Sequence, residues 1–161
     1  MAEPTAADAP ATEGTSPADE ALYLDSSALA KLYVPEPESE RLDAFLTGRR
    51  GLMISELAIT EVLSAVARRK REGELEAKVA YEIRAALLAD ADSGSFDRLD
   101  LSPAAHREAE RLLLGSDSVA LRTLDALHIA LALSGAATHV VTFDRRMREA
   151  ALQAGLRVVE I

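Results

Sequence analysis

The 161-residue chain is 48% hydrophobic and 28% charged, the balance of one globular domain with a core of its own. It contains no cysteine, which excludes disulfides, thiolate metal sites and cysteine nucleophiles, and no apolar run long enough to cross a bilayer. The net charge of −9 argues against passive adhesion to nucleic acid, but it is unevenly spread: Glu3, Asp8, Glu13, Asp19 and Glu20 precede the first apolar run with no Lys or Arg among them.

Residues 1–20 are rich in Ala, Pro, Thr, Asp and Glu and hold no large apolar side chain after Met1. They read as a disordered acidic tail. With no basic segment and no apolar stretch they do not read as a secretory signal, so a cytoplasmic protein is expected. Residues 21–161 read as one domain. There, short apolar runs at 22–24, 52–54, 96–101, 139–143 and 156–161 predict strands. They alternate with segments of helical period at 26–34, 38–46, 56–72, 74–91, 103–115, 123–134 and 144–154. This layout predicts an α/β fold, a parallel sheet of four to five strands flanked by helices. Two consecutive long helices after the second strand predict a helical hairpin. Ser55 is placed to cap the first of them, and Ser102-Pro103 opens the helix after the third strand.

Sites in open α/β sheets form at the carboxyl ends of strands. Asp25 and Asp144 fall there, each directly after an apolar run and opening a helix, where an Asp also serves as an N-cap. Asp125 starts TLDALHIALAL, a helix apolar nearly all round, where a carboxylate needs a hydrogen-bond cluster, Arg122 or a metal. Glu61 could belong to a solvated stripe with Ser64 and Arg68. In a parallel sheet Asp25 and Asp144 share one edge, and several carboxylates meeting there repel unless a cation neutralises them. An all-oxygen site suits Mg²⁺ or Mn²⁺, which can activate water against a phosphodiester. No GxxxxGK[ST] loop is present, so P-loop chemistry is not supported.

At these positions, over residues 22–161, the sequence resembles the PIN-domain ribonucleases and, within them, the VapC-like toxins of type II toxin–antitoxin modules. The carriers are LYLDSSALAKLY, ISELAITEVLSA with Glu61, LRTLDALHIALA with Asp125, and VVTFDRRM with Asp144. The resemblance implies a PIN-like fold and an acidic Mg²⁺ or Mn²⁺ pocket of Asp25, Glu61, Asp125 and Asp144. Asp25, Asp125 and Asp144 would be the metal ligands, Asp25 and Asp125 foremost, with Ser26 and Thr142 as auxiliary hydroxyls. It also implies endonucleolytic hydrolysis of RNA, a homodimer, and a small antitoxin protein that blocks the pocket.

Arg145, Arg146 and Arg148 follow Asp144 and are candidates for RNA phosphates. Arg68-Arg69-Lys70-Arg71 ends a helix, where positive charge suits the dipole. His128 shares a helix with Asp125 but reads as a hydrogen-bonded core residue outside the site. A haloacid-dehalogenase-type phosphatase is disfavoured because DSSAL lacks a second Asp. A non-catalytic PIN-like module holding a cation or a basic segment is the alternative.

Overall fold

A computed structural model describes residues 20–115 and 120–161; the acidic tail expected at residues 1–20 lies, but for Glu20, outside them. The described residues form β1 (Leu22–Leu24), α1 (Ser26–Lys31), α2 (Ser39–Leu46), β2 (Leu52–Ser55), α3 (Glu56–Arg71), α4 (Ala77–Asp92), β3 (Asp97–Leu99), α5 (Pro103–Gly115), α6 (Thr123–Ser134), β4 (His139–Val141), α7 (Arg145–Gln153) and β5 (Arg157–Val158). The strands make one parallel sheet in the order β3-β2-β1-β4-β5. The α/β class, the parallel sheet and the hairpin of α3 and α4 are as the sequence predicts.

The central strand explains the two-sided core. Side chains alternate across a strand, so Leu22 and Leu24 pack with α1 to α4 on one face while Tyr23 packs with α5, α6 and α7 on the other. All three are fully buried, as expected where helices cover both faces of a parallel sheet. On neighbouring β4, Val141 joins the first cluster and Val140 the second.

Several boundaries differ from the expected ones. The first helix ends at Lys31 rather than 34, because Leu32 and Tyr33 tighten onto Leu29 and Ala30 ahead of Pro35 and Pro37. The fourth helix starts at Ala77 rather than 74: Gly73 has φ +78, and the Glu74 and Leu75 amides both return to the Arg69 carbonyl. The third and fifth strands are shorter than the apolar runs that announced them. Thr142 and Phe143 leave β4, since both are bonded instead to the segment that opens α1. Ser55 and Ser102 cap their helices as predicted, accepting from the Ala58 and Ala105 amides.

Candidate active site

Three helices start around one cavity of about 400 Å³ at the carboxyl ends of β1 and β4, and their first turns supply most of its wall. Asp25, Ser26 and Ser27 come from the β1–α1 junction, Glu61 from α3, Asp125 and His128 from α6, and Asp144 from the β4–α7 junction. All four acids named from the sequence therefore line the same space. Parallel strands bring Asp25 and Asp144 to one edge, and α6 is buried almost throughout, so it can lay its first turn against that edge.

Asp25 is 3% exposed. Its Oδ1 accepts from the Ser27 hydroxyl at 2.7 Å and the Ala28 amide at 2.9 Å, and Oδ2 accepts from Thr142 Oγ1 at 2.6 Å. Burial pushes the carboxyl above its ordinary range, and the bonds from Thr142, Ala28 and Ser27, with His128 nearby, offset this only in part. Thr142 is a support beneath the cavity: its hydroxyl donates to Asp25 while its oxygen accepts from the Asp144 amide at 3.1 Å. Asp144 is exposed and caps α7, with Oδ1 accepting from the Arg146 and Met147 amides. It is thus both an N-cap and a cavity residue.

Asp125 differs from the expectation of a carboxylate sunk in an apolar helix. The helix is buried, but its first turn opens on the cavity and Asp125 is half-buried. Its partner is the Arg122 backbone amide, 3.2 Å from Oδ2, rather than the guanidinium. Glu61 is not part of a solvated stripe either. Its side chain is 25% exposed and turns inward to His128 Nε2 at 2.5 Å. Burial raises its pKa, but the hydrogen bond from His128 and one from Ser26 outweigh that, holding the carboxyl below its ordinary range.

Ser27, Tyr23 and His128 are the residues that sequence reasoning left out. His128 is the hydrogen-bonded core residue expected, 4% exposed, yet it also lines the cavity. Its spacing of three from Asp125 put both on one helical face, which was the available signal. Tyr23 sits mid-strand among leucines, and nothing local marks it.

A second cavity of about 540 Å³ adjoins the first and shares Arg122 and Asp144 with it. Arg145 and Arg146 line it. Arg145 pairs with Glu149 at 3.3 Å, whereas the guanidinium groups of Arg122 and Arg146 meet no acid among the described residues. Arg148 turns away to Glu160 and lines neither cavity. In the basic end of α3, Arg69 pairs with Glu36 and Lys70 lies over the Tyr81 ring.

The candidate ligand side chains of the first cavity, Asp25, Glu61, Asp125 and Asp144, offer oxygen, the donor that hard cations take. As these side chains lie, no three acidic or histidine groups among the described residues are close enough to hold a metal ion. The carboxylates nevertheless keep acceptor capacity, since no described donor reaches Asp125 Oδ1 or Asp144 Oδ2 and one reaches Asp25 Oδ2. No helix among the described residues is long and apolar enough to cross a membrane.

The PIN domain family model matches residues 22–152. Ribonuclease VapC46 of Mycobacterium tuberculosis is 38% identical over 141 residues, covering 86% of this chain and 96% of the relative. Among solved structures, the fold matches M. tuberculosis VapC20, described as a toxin that cleaves the sarcin-ricin loop, with a TM-score of 0.65 at 15% identity over 80% of this chain and 94% of that one. It also matches VapBC2 of Rickettsia felis bound to promoter DNA, with a TM-score of 0.59 at 16% identity over 86% and 96% of the two chains. The chain belongs to the PIN-domain family, in its VapC-like branch.

Proposed function

We propose that this chain is a divalent-metal-dependent endoribonuclease that hydrolyses RNA phosphodiester bonds as the toxin of a toxin–antitoxin pair. The observation that carries the reading is the meeting of Asp25, Glu61, Asp125 and Asp144 around one cavity in a chain of the VapC-like branch. Asp25, Asp125 and Asp144 would hold Mg²⁺ or Mn²⁺, with water completing the shell. When bound, such a cation neutralises phosphodiester charge and acidifies a water molecule. Thr142 and Ser27 hold the Asp25 carboxylate in place through their hydroxyls. Glu61, kept ionised by His128 and Ser26, is the acceptor for the proton of the attacking water. Ser26 orients it from the cavity wall.

Arg122 and Arg146, with Arg145 beside them, take the phosphates flanking the scissile bond in the adjoining cavity. Arg146→Ala is expected to raise the KM for RNA several-fold and to reduce the salt dependence of binding by about one unit of slope. Arg148→Ala, removing a group engaged by Glu160, leaves both nearly unchanged. Filter binding across a salt series measures the contrast, and equal effects of the two substitutions would remove the assignment.

A small antitoxin protein that covers the acidic cavity, a homodimer of the chain and a cytoplasmic site of action complete the reading. Its test is incubation of total RNA with the purified protein and Mg²⁺ or Mn²⁺, beside an Asp125→Asn variant of confirmed fold. Discrete metal-dependent fragments that vanish with Asp125→Asn support it. Cleavage by the variant at the parent's rate, or none by the parent, shifts the conclusion to a non-catalytic module that holds a cation or a basic partner segment.

A further inference from the structure

Four side chains from four elements form one unbroken hydrogen-bonded line. Glu61 Oε2 on α3 meets His128 Nε2 on α6 at 2.5 Å. His128 Nδ1 meets the Tyr23 hydroxyl on β1 at 2.7 Å, and that hydroxyl meets Ser55 Oγ at the end of β2 at 2.8 Å. Ser55 Oγ in turn accepts from the Ala58 amide at 3.1 Å and so caps α3. The line returns to the helix it started from. Tyr23 and Ser55 are fully buried, so each proton in it needs a protein acceptor.

That requirement sets the direction of every bond. Ser55 Oγ already accepts from Ala58, and among the described residues the only acceptor within reach of its own proton is the Tyr23 oxygen. Tyr23 has a single proton, which it therefore donates to His128 Nδ1. An imidazole that accepts at Nδ1 carries its proton on Nε2 and donates it to Glu61. In the opposite direction the Ser55 proton would be stranded in a sealed site.

We propose that His128 is a positioning residue: a neutral imidazole, locked by Tyr23 and Ser55 as the Nε2–H tautomer, that donates to Glu61 and fixes how this carboxylate faces the cavity. The proposal rests on the reading of the cavity as a nuclease centre. Glu61 needs such a support, because a glutamate has several rotatable bonds and its one other partner in the cavity wall is Ser26. Tyr23 satisfies only Nδ1, and the second nitrogen is spent on the only candidate catalytic acid outside a strand end or a helix first turn. The cap on α3 and the carboxylate on α3 are thereby tied to the same line, so the helix cannot shift without breaking it.

The tautomer is read directly from the imidazole nitrogen resonances of the metal-free full-length protein at neutral pH. A protonated Nε2 and an unprotonated, hydrogen-bonded Nδ1 are expected for His128; a proton on Nδ1 overturns the lock. Cleavage kinetics provide the second arm. In His128→Gln the side-chain amide stands where Nε2–H stood, whereas in His128→Asn it reaches only the Nδ1 position. Gln is expected to keep kcat within a few-fold of the parent, while Asn lowers it about 10- to 100-fold, the scale of a misplaced catalytic group. KM should hardly change in either. Equal losses in both variants, or a change confined to KM, would mean that His128 only fills space. Tyr23→Phe should give mixed tautomers and an intermediate kcat. If the parent cuts no RNA the nuclease reading falls, while the His128 and Glu61 side-chain resonances still decide whether the histidine holds the acid.

Discussion

Asp25→Asn is expected to abolish RNA cleavage and at the same time to raise the melting temperature of the metal-free protein. The two effects have one origin. Asp25 is 3% exposed and, among the described residues, has no cationic partner in hydrogen-bond contact, only the Ser27, Thr142 and Ala28 donors. Its folded-state pKa lies above the ordinary 3.8 because burial disfavours the charge. The folded protein therefore binds the Asp25 proton more tightly than the unfolded chain does, and stability falls as pH rises from the unfolded value through the folded one. Asn removes the charge and can keep the acceptor role toward Ser27 and Ala28, which should return on the order of 1–3 kcal/mol, at roughly 2–4 °C per kcal/mol for a chain of this size. The gain should shrink towards about pH 3, below the ordinary value, where Asp25 is mostly protonated in both states. Added Mn²⁺ should stabilise the parent and not the variant. Calorimetry at the two pH values checks this; a lower melting temperature at neutral pH, or a gain independent of pH, would contradict the charge argument.

Lys31→Ala should produce the largest loss of stability of any surface-adjacent substitution, about 2–4 kcal/mol, between the cost of breaking a buried pair and that of an exposed one. Lys31 is 8% exposed on α1. Its ammonium donates to the Pro37 carbonyl at 2.7 Å, pairs with Glu36 and Glu38 at 3.4 and 3.2 Å, and lies 4.6 Å above the Phe143 ring. Glu38 has a left-handed backbone, φ 69, a conformation that costs energy for a residue other than glycine. Lys31 holds that turn closed. Truncation strands a carbonyl and loosens two carboxylates, and Phe143 loses its cover beside Asp144. Thermal unfolding measures the loss. Lys31→Met, which keeps the aliphatic stem, should lose less, and a loss in Lys31→Ala below about 0.5 kcal/mol, the scale of an ordinary surface change, would mean that the turn is held by its own backbone.

The legible part of this molecule was whatever depends on one residue's own neighbours in the chain. Leu22–Leu24 and His139–Val141 announced buried strands because both faces of a parallel strand are apolar. Asp25 and Asp144 were found because a polar residue that ends such a run has few places to go. The burial of α6 is written in its apolar circumference, but the depth of Asp125 is not, since a helix can be buried along its length and still open its first turn to a cavity. Thr142 was identified by resemblance, and its physical role, bridging the two strand-end acids, depends on a partner 117 residues away. The Tyr23–His128 bond spans 105 residues, and no periodicity encodes it. Shortened elements such as β5 follow the same rule: an apolar run states what is buried, while pairing with a neighbour decides where the strand stops.

The order of strands in the sheet bears on how the protein comes into being. Each half of the cavity belongs to a different end of the chain, because β1 lies between β2 and β4 and Leu22 is paired with His139. Until β4 has been made, Asp25 lacks the Thr142 hydroxyl and its companion Asp144, and the Leu24 side of the sheet lacks Val141. A chain growing from its amino terminus can assemble β1, β2 and the α3–α4 hairpin early, but it closes the acidic cavity only when this distant pairing forms, the slowest kind of contact to make. Fragments that stop before residue 139 should be inert however well they fold.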